Sequence, residues 1–251
     1  MCIRDSLKAL IAVMGAEVHS QNGIQQASRE TWAKDISLFA DFRVFVGQGE
    51  MPLKEDEVRV DVPDIKDYIL YKVVALLRWA LERNYEHILK IDTDSFVNCT
   101  EMVRENYSGI DYVGSPVGKL GEYYAGTNCY GFLQGSATWL SAKAAKIVVD
   151  EVVRKMDSLL PDAQKYNGII CPYPHSEDLW IAQVLTPRIL SGELRARADN
   201  RYAEGPLTFH FGYDKGMPYW MPKFEKWMKD LYAARGNNVL MKQIHEHRMD
   251  G

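Results

Sequence analysis

Short apolar runs alternate with stretches whose apolar residues recur at helical spacing, a pattern that predicts an α/β layer architecture. Leu7 to Met14 reads as a buried first strand, and Gln25 to Lys34 as a helix. Phe42 to Gly47 reads as a second strand ending at a glycine turn, and Glu57 to Val62 as a short third. The clearest helix is Lys72 to Asn84, where Val73, Leu76, Leu77, Ala80 and Leu81 fall on one apolar face. His87 to Ile91 comes next as a buried strand running directly into Asp92-Thr93-Asp94. Further along, Tyr112 to Gly114 and Ala137 to Ser141 read as strands. Ala142 to Met156 and Glu177 to Leu185 read as helices. Lys223 to Ala234 predicts a last helix with Phe224, Trp227, Met228 and Leu231 on one side. Leu160 to Pro174, with Pro161, Pro172 and Pro174, reads as a long surface loop and not as a domain boundary, because the alternation resumes after it.

Composition narrows the class. A chain of 251 residues is long enough for one full-sized domain, expected over residues 7–251. Lys and Arg number 30 against 34 Asp and Glu, so the formal charge of −4 argues against a dedicated nucleic-acid binder and supplies no polybasic membrane patch. No apolar run approaches the ~18 residues of a transmembrane helix, and Leu10 to Met14 is too short for a signal-peptide core. Met1 to Ser6 fits poorly with the strand pattern beginning at Leu7 and is expected to be an assembly scar or the edge of a truncation. Cys2, Cys99, Cys129 and Cys171 show neither CxxC pairing nor zinc spacing, so free thiols in a reducing compartment are the default. Two sequons, at Asn98 and Asn106, are within what chance supplies.

The sharpest chemical signal is Ile88 to Val97, an apolar strand ending in two carboxylates, Asp92 and Asp94. In an extended segment residues i and i+2 share a face, and the carboxyl ends of strands are where open α/β sheets place ligands. Two hard oxygen donors there suit Mg²⁺ or Mn²⁺ bridging to substrate phosphates; the plainer reading is a solvated acidic turn. Glu177-Asp178 opens a helix, where acids are favoured by the dipole alone. Opposite a metal–diphosphate site, one of them could instead be a general base. His210, in Thr208-Phe209-His210-Phe211, is either a satisfied core histidine or the imidazole completing a Mn²⁺ site. Of the other histidines, His245 and His247 read as an exposed tail. Tyr123, Tyr124, Tyr130, Trp139, Tyr219 and Trp220 are either core residues or a sugar-stacking wall.

Together these pieces resemble the β-1,3-glycosyltransferase family of β-1,3-galactosyltransferases, β-1,3-N-acetylglucosaminyltransferases and fringe, over roughly Leu10 to Gly212. Arg29-Glu30-Thr31-Trp32 resembles the family's Arg-x-Thr-Trp. Asp61-Val62-Pro63-Asp64 together with Lys72 resembles its Asp-x-x-Asp…Lys element. Asp92 and Asp94 stand as its Asp-x-Asp, Gly135 to Ser141 as its glycine-rich strand, Glu177-Asp178 as its Glu-Asp pair and His210 as its late histidine. The chain departs from the family pattern at Thr93, which takes the middle place of a usual acidic triplet. It departs also at Tyr68, which is shifted, and at Gln134 to Trp139, which is bulkier.

The resemblance implies a GT-A fold, a mixed sheet flanked by helices. It implies an inverting hexosyltransferase moving a hexose or N-acetylhexosamine from a UDP-sugar to a glycan hydroxyl in β-1,3 linkage. It implies Mn²⁺ or Mg²⁺ held by Asp94 with Asp92 and His210. Arg29, Lys72, Asp92 and Glu177 are then candidates for the donor nucleotide and its phosphates, and Asp178 for the catalytic base. The Golgi members' membrane anchor is missing from this chain, which implies a cytoplasmic bacterial or viral form, or a truncated form of the Golgi lumen. Two rivals stand beside this reading: a metal-dependent phosphohydrolase, and a nucleotide-sugar or glycan-binding module without turnover.

Overall fold

Every position of the first strand, β1 (Ala9–Met14), is buried. Ala9, Ile11 and Val13 enter one core while Leu10, Ala12 and Met14 enter another. A strand apolar on both faces belongs at the centre of a sheet covered on both sides. The computed structural model, which describes residues 8–21, 23–36, 39–122, 130–159, 177–202, 208–210, 226, 228–230 and 232–233, has this architecture. Seven strands form the main sheet in the order β3 (Glu57–Arg59), β2 (Asp41–Val46), β1, β4 (His87–Asp92), β7 (Phe132–Ser141), β6 (Tyr112–Val117), β8 (Ala196–Ala198). Only β7 runs against the others, so the sheet is mixed. A second, two-stranded sheet pairs β5 (Ser95–Val97) antiparallel with β9 (Thr208–His210).

Helices cover both faces. α4 (Ile69–Glu82), α6 (Ala142–Leu159) and α7 (Glu177–Leu190) pack on one, burying Leu76, Leu77, Val148 and Leu185. On the other lie α2 (Ile24–Glu30), α3 (Ala33–Ile36) and α5 (Cys99–Met102), around Trp32, Phe96, Tyr107, Trp139 and Tyr202. Each such large apolar side chain removed from water stabilises by about 1.5–3 kcal/mol. The indole N–H of Trp139 donates to His87 Nδ1 at 3.0 Å, and its ring stacks on Tyr107 with centroids 4.1 Å apart. No helix among the described residues is long and apolar enough to cross a membrane.

Several elements differ from expectation, each for a local reason. The helix expected over Gln25 to Lys34 is split. Thr31 leaves helical geometry and turns its hydroxyl back to the Ala27 carbonyl at 2.6 Å, a local bond that competes with the helix. α4 begins earlier than its apolar periodicity, led in by a 3₁₀ turn at Lys66–Tyr68. β3 stops at Arg59, short of Val62. β7 begins at Phe132, because Phe132 and Leu133 pair with Val117 and Pro116 beyond a register shift in β6. α7 continues through Pro187 to Leu190; the lost backbone donor is outweighed by the packing of Trp180, Ile181 and Leu185. Of the expected last helix, Lys226, Met228 to Asp230, Tyr232 and Ala233 are helical, with Met228 buried against the Trp32 core; its other residues lie outside the described ones. Leu160 to Pro174 and Met1 to Ser6 also lie outside them.

Candidate active site

The carboxyl ends of β1, β2 and β4 emerge at one edge of the sheet, where Met14 stands beside both Phe45 and Asp92. After β1 the chain turns at Gly15, where a Cβ would lie 2.4 Å from Gln25 Nε2 and 2.5 Å from Val44 Cγ1. Glycine is required by that close approach. The next residues form α1 (Glu17–Gln21), which carries His19. Lys72 reaches from α4 to the Gly15 carbonyl and the Asp64 carboxylate, and Asp64 in turn accepts from the Gly47 N–H at 2.8 Å. Burial lowers the Lys72 pKa, and the Asp64 carboxylate opposes this only in part. His19 lies in the same field. Burial and Lys72 lower its pKa while Asp94 and Asp64 oppose, and its Nδ1 is buried with no hydrogen-bond partner among the described residues.

The acidic loop is built differently from the extended segment the sequence suggested. β4 ends at Asp92, and Thr93-Asp94 make a turn into β5. The residue that shares Asp92's face is therefore Lys90, whose Nζ donates to Asp92 Oδ1 at 2.9 Å. The Asp92 side chain keeps a third of its surface open to solvent, whereas Asp94 is buried. The pairing of β5 with β9 sets Ser95, the neighbour of Asp94, opposite His210 in backbone register. The His210 side chain lies outside the described ones.

The Glu177-Asp178 pair arrives from the other side. Because β7 is reversed, with Ala137 opposite Ile91, Gly135 and Ser136 lie level with the end of β4 and beyond it. There α7 begins. Glu177 Oε1 accepts from Lys90 Nζ at 2.7 Å, and Asp178 Oδ2 accepts from the Gly135 N–H at 3.1 Å. Lys90 also donates to the Gly135 carbonyl. Ser95 Oγ donates to the Ser136 carbonyl at 3.2 Å, tying β5 to the same stretch. Burial works against the Lys90 charge, but Asp92 and Glu177 together overcome it and raise the pKa above the ordinary lysine value. Asp92 and Glu177, far apart along the chain, thus meet around one ammonium, with Asp178 held next to them by the Gly135 N–H.

Other candidates are placed elsewhere or engaged otherwise. Arg29 is held by Asp56 at 2.7 Å and Glu57 at 2.7 Å, so its guanidinium is committed to the amino end of β3. Trp139 is a core residue, 1% exposed, and is no part of a sugar-stacking wall; Tyr123, Tyr124, Tyr219 and Trp220 lie outside the described residues. So do His175, His245, His247, Cys2, Cys129 and Cys171. Cys99 is buried, with burial pushing its thiol pKa up. Asn98 is buried too, its side chain accepting from Glu101 N at the start of α5. Lys90 is the residue of this cluster that reasoning from sequence left out, and His19 is one that it ranked below His210. A lysine within Ile88-Leu89-Lys90-Ile91 is a charge inside an apolar strand, a signal that a buried ion pair must satisfy it.

Among the described residues no three His, Cys, Asp or Glu side chains form a ready-made metal cage. The donor chemistry present, two carboxylates at a strand end, fits a hard divalent cation that completes its coordination with phosphate and water.

No family model matches this chain, and no curated protein does. Solved structures do. The chain is similar to the glycosyltransferase GlyE of Streptococcus pneumoniae TIGR4, with TM-score 0.50 and 8% identity, over 95% of this chain and 64% of that one. The fold is of the glycosyltransferase GT-A type. A second similar structure is a glycosyltransferase involved in glycosylation of the major capsid of PBCV-1, with TM-score 0.49 and 12% identity, over 89% of this chain and 99% of that one. At 8% identity the likeness to GlyE speaks for the fold alone, and chemistry must be argued from the residues.

Proposed function

We propose that the protein is an inverting glycosyltransferase that moves a hexose or N-acetylhexosamine from a UDP-sugar to a hydroxyl of a glycan acceptor, forming a β-1,3 linkage. The observation that carries this reading is the meeting of Asp92 and the Glu177-Asp178 pair at the carboxyl end of β4 in a GT-A-type sheet. The likeness of that sheet to the glycosyltransferase GlyE supports it. The β-1,3 linkage rests on the motif resemblance in the sequence.

Asp94 and Asp92, with His210 as the third ligand, would hold Mn²⁺ or Mg²⁺, which when bound supplies neutralisation of the leaving diphosphate. Support for His210 in this set comes from its backbone register beside Ser95. Lys72 and Arg29 are the candidate cations for the nucleotide. Each is already engaged by carboxylates, so contact with phosphate would require exchange of partners. Asp178 is the base that takes the acceptor hydroxyl's proton as the new carbon–oxygen bond forms opposite the departing diphosphate. Backbone N–H groups of Gly135 and Leu179 fix its two oxygens, at 3.1 and 2.8 Å, so the carboxylate is oriented before substrate arrives.

Asp178→Asn keeps the size of the side chain and removes the base, while losing one of the two N–H contacts, since an amide has a single acceptor oxygen. UDP release in the presence of acceptor should fall roughly 10²–10⁴-fold. UDP affinity, measured by calorimetry with Mn²⁺, should stay within about threefold. Unchanged turnover would remove Asp178 from the role.

A further inference from the structure

Within the strand that delivers Asp92, Lys90 is a charge set among Ile88, Leu89 and Ile91, and its side chain is 1% exposed. An ammonium has three donors, and here all three are used. They go to Asp92 Oδ1 at 2.9 Å, to Glu177 Oε1 at 2.7 Å and to the Gly135 carbonyl. The three acceptors belong to three separate pieces of chain: the end of β4, the first turn of α7 and the strand β7. The same Gly135 then donates its N–H to Asp178 at 3.1 Å, so its peptide groups link Lys90 to Asp178, while Glu177 is bonded to Lys90 directly. A Cβ at position 135 would lie 2.5 Å from Glu177 Oε1 and 3.4 Å from Lys90 Nζ, which leaves glycine as the residue that lets these groups close on one another. Of the two carboxylates on Lys90, Glu177 is 10% exposed and Asp92 33%, so the cluster opens toward solvent on the Asp92 side.

We infer that Lys90 is a positioning residue that holds the donor-side carboxylate Asp92 and the acceptor-side pair Glu177-Asp178 in a single frame. The inference rests on the glycosyl-transfer reading and deepens it. The phosphate end and the base end of the site are set by one ammonium, and disturbing either partner disturbs the other. A lysine that merely filled the core would leave Asp178 indifferent to its loss.

Two double-mutant cycles test this. In the first, UDP release from the donor sugar is measured with Mn²⁺ for Lys90→Met, Asp178→Asn and the double variant. Lys90→Met should lower the rate about 100-fold, the scale of a misplaced catalytic group. The double variant should fall by clearly less than the product of the two single losses, because part of what Lys90 does runs through the base. Losses that multiply overturn the inference. Gly135→Ala is a companion variant. It keeps the lysine but pushes Glu177 away, and should reproduce the loss of Lys90→Met; wild-type turnover would overturn the inference. The second cycle needs no substrate: urea unfolding of Lys90→Met, Glu177→Gln and both. The double variant should be more stable than Lys90→Met, since the uncompensated carboxylate is gone. A double variant that loses both single increments in full contradicts the frame. If the unchanged protein releases no UDP from any donor, the glycosyl-transfer reading fails, and the urea cycle alone decides whether the frame exists.

Discussion

Two lysines lie buried at the same edge of the sheet, and their surroundings send them in opposite directions. Lys72, 5% exposed, has one carboxylate, Asp64, and the Gly15 carbonyl. Lys90, 1% exposed, has two carboxylates, Asp92 and Glu177, and the Gly135 carbonyl. Burial opposes the charge of both. With one carboxylate burial wins and the Lys72 pKa falls; with two it loses and the Lys90 pKa rises. Counted formally, Lys72 and Asp64 cancel, while Lys90 with Asp92 and Glu177 leaves one negative charge beside Asp94. The second arrangement carries the net negative charge that would attract a cation.

Removing the lysines breaks the comparison most directly. Lys90→Met leaves two carboxylates around an apolar side chain and should destabilise by about 3–5 kcal/mol. Lys72→Met leaves Asp64, 16% exposed and still bonded to the Gly47 N–H, and should destabilise by about 1–3 kcal/mol. Urea unfolding at neutral pH measures both; equal losses would mean that the second carboxylate is of no consequence.

Alkaline titration separates them further. Between its lowered folded pKa and the ordinary 10.5, Lys72 carries more protons unfolded than folded, so stability relative to Lys72→Met rises with pH. The ceiling is about 1.4 kcal/mol per pH unit. The Lys90 contribution has the other sign. It is fully present below 10.5 and is lost only as pH climbs above that, through the raised folded value. As pH rises toward 10.5, unfolding curves should show the wild-type advantage over Lys72→Met widening, and that over Lys90→Met flat.

The smallest effect converts one lysine into the other. Glu177→Gln leaves Lys90 with Asp92 as its remaining carboxylate, so its pKa should drop as that of Lys72 does. Its stability curve should then acquire a positive alkaline slope, again below about 1.4 kcal/mol per pH unit. A flat curve in this variant would show that Asp92 alone holds the charge.

How much of this is legible in the sequence depends on the range of the forces involved. β4 and α4 can be read because their apolar positions obey strand and helix periods against a two-sided core. β9 cannot, because three residues carry too little pattern and its existence depends on β5 across more than a hundred residues of chain. The acids are legible as a class but not in their geometry. The i, i+2 rule applied to Asp92 and Asp94 assumes an extended chain, and the turn at Thr93-Asp94 makes Lys90 the true same-face partner. The reversed direction of β7, which brings Gly135 and Glu177-Asp178 to Lys90, is a tertiary fact that no local motif encodes. Arg29 reads as a free cation because its partners Asp56 and Glu57 are distant in sequence.

The central claim is that this edge of the sheet cleaves a UDP-sugar with the help of a divalent cation. The most direct measurement is UDP release from a panel of UDP-sugars with Mn²⁺ and candidate glycan acceptors, with and without EDTA, alongside calorimetric titration of UDP. The expected result is release from one donor that EDTA abolishes and acceptor accelerates. Absence of release from every donor together with no binding of UDP would contradict it.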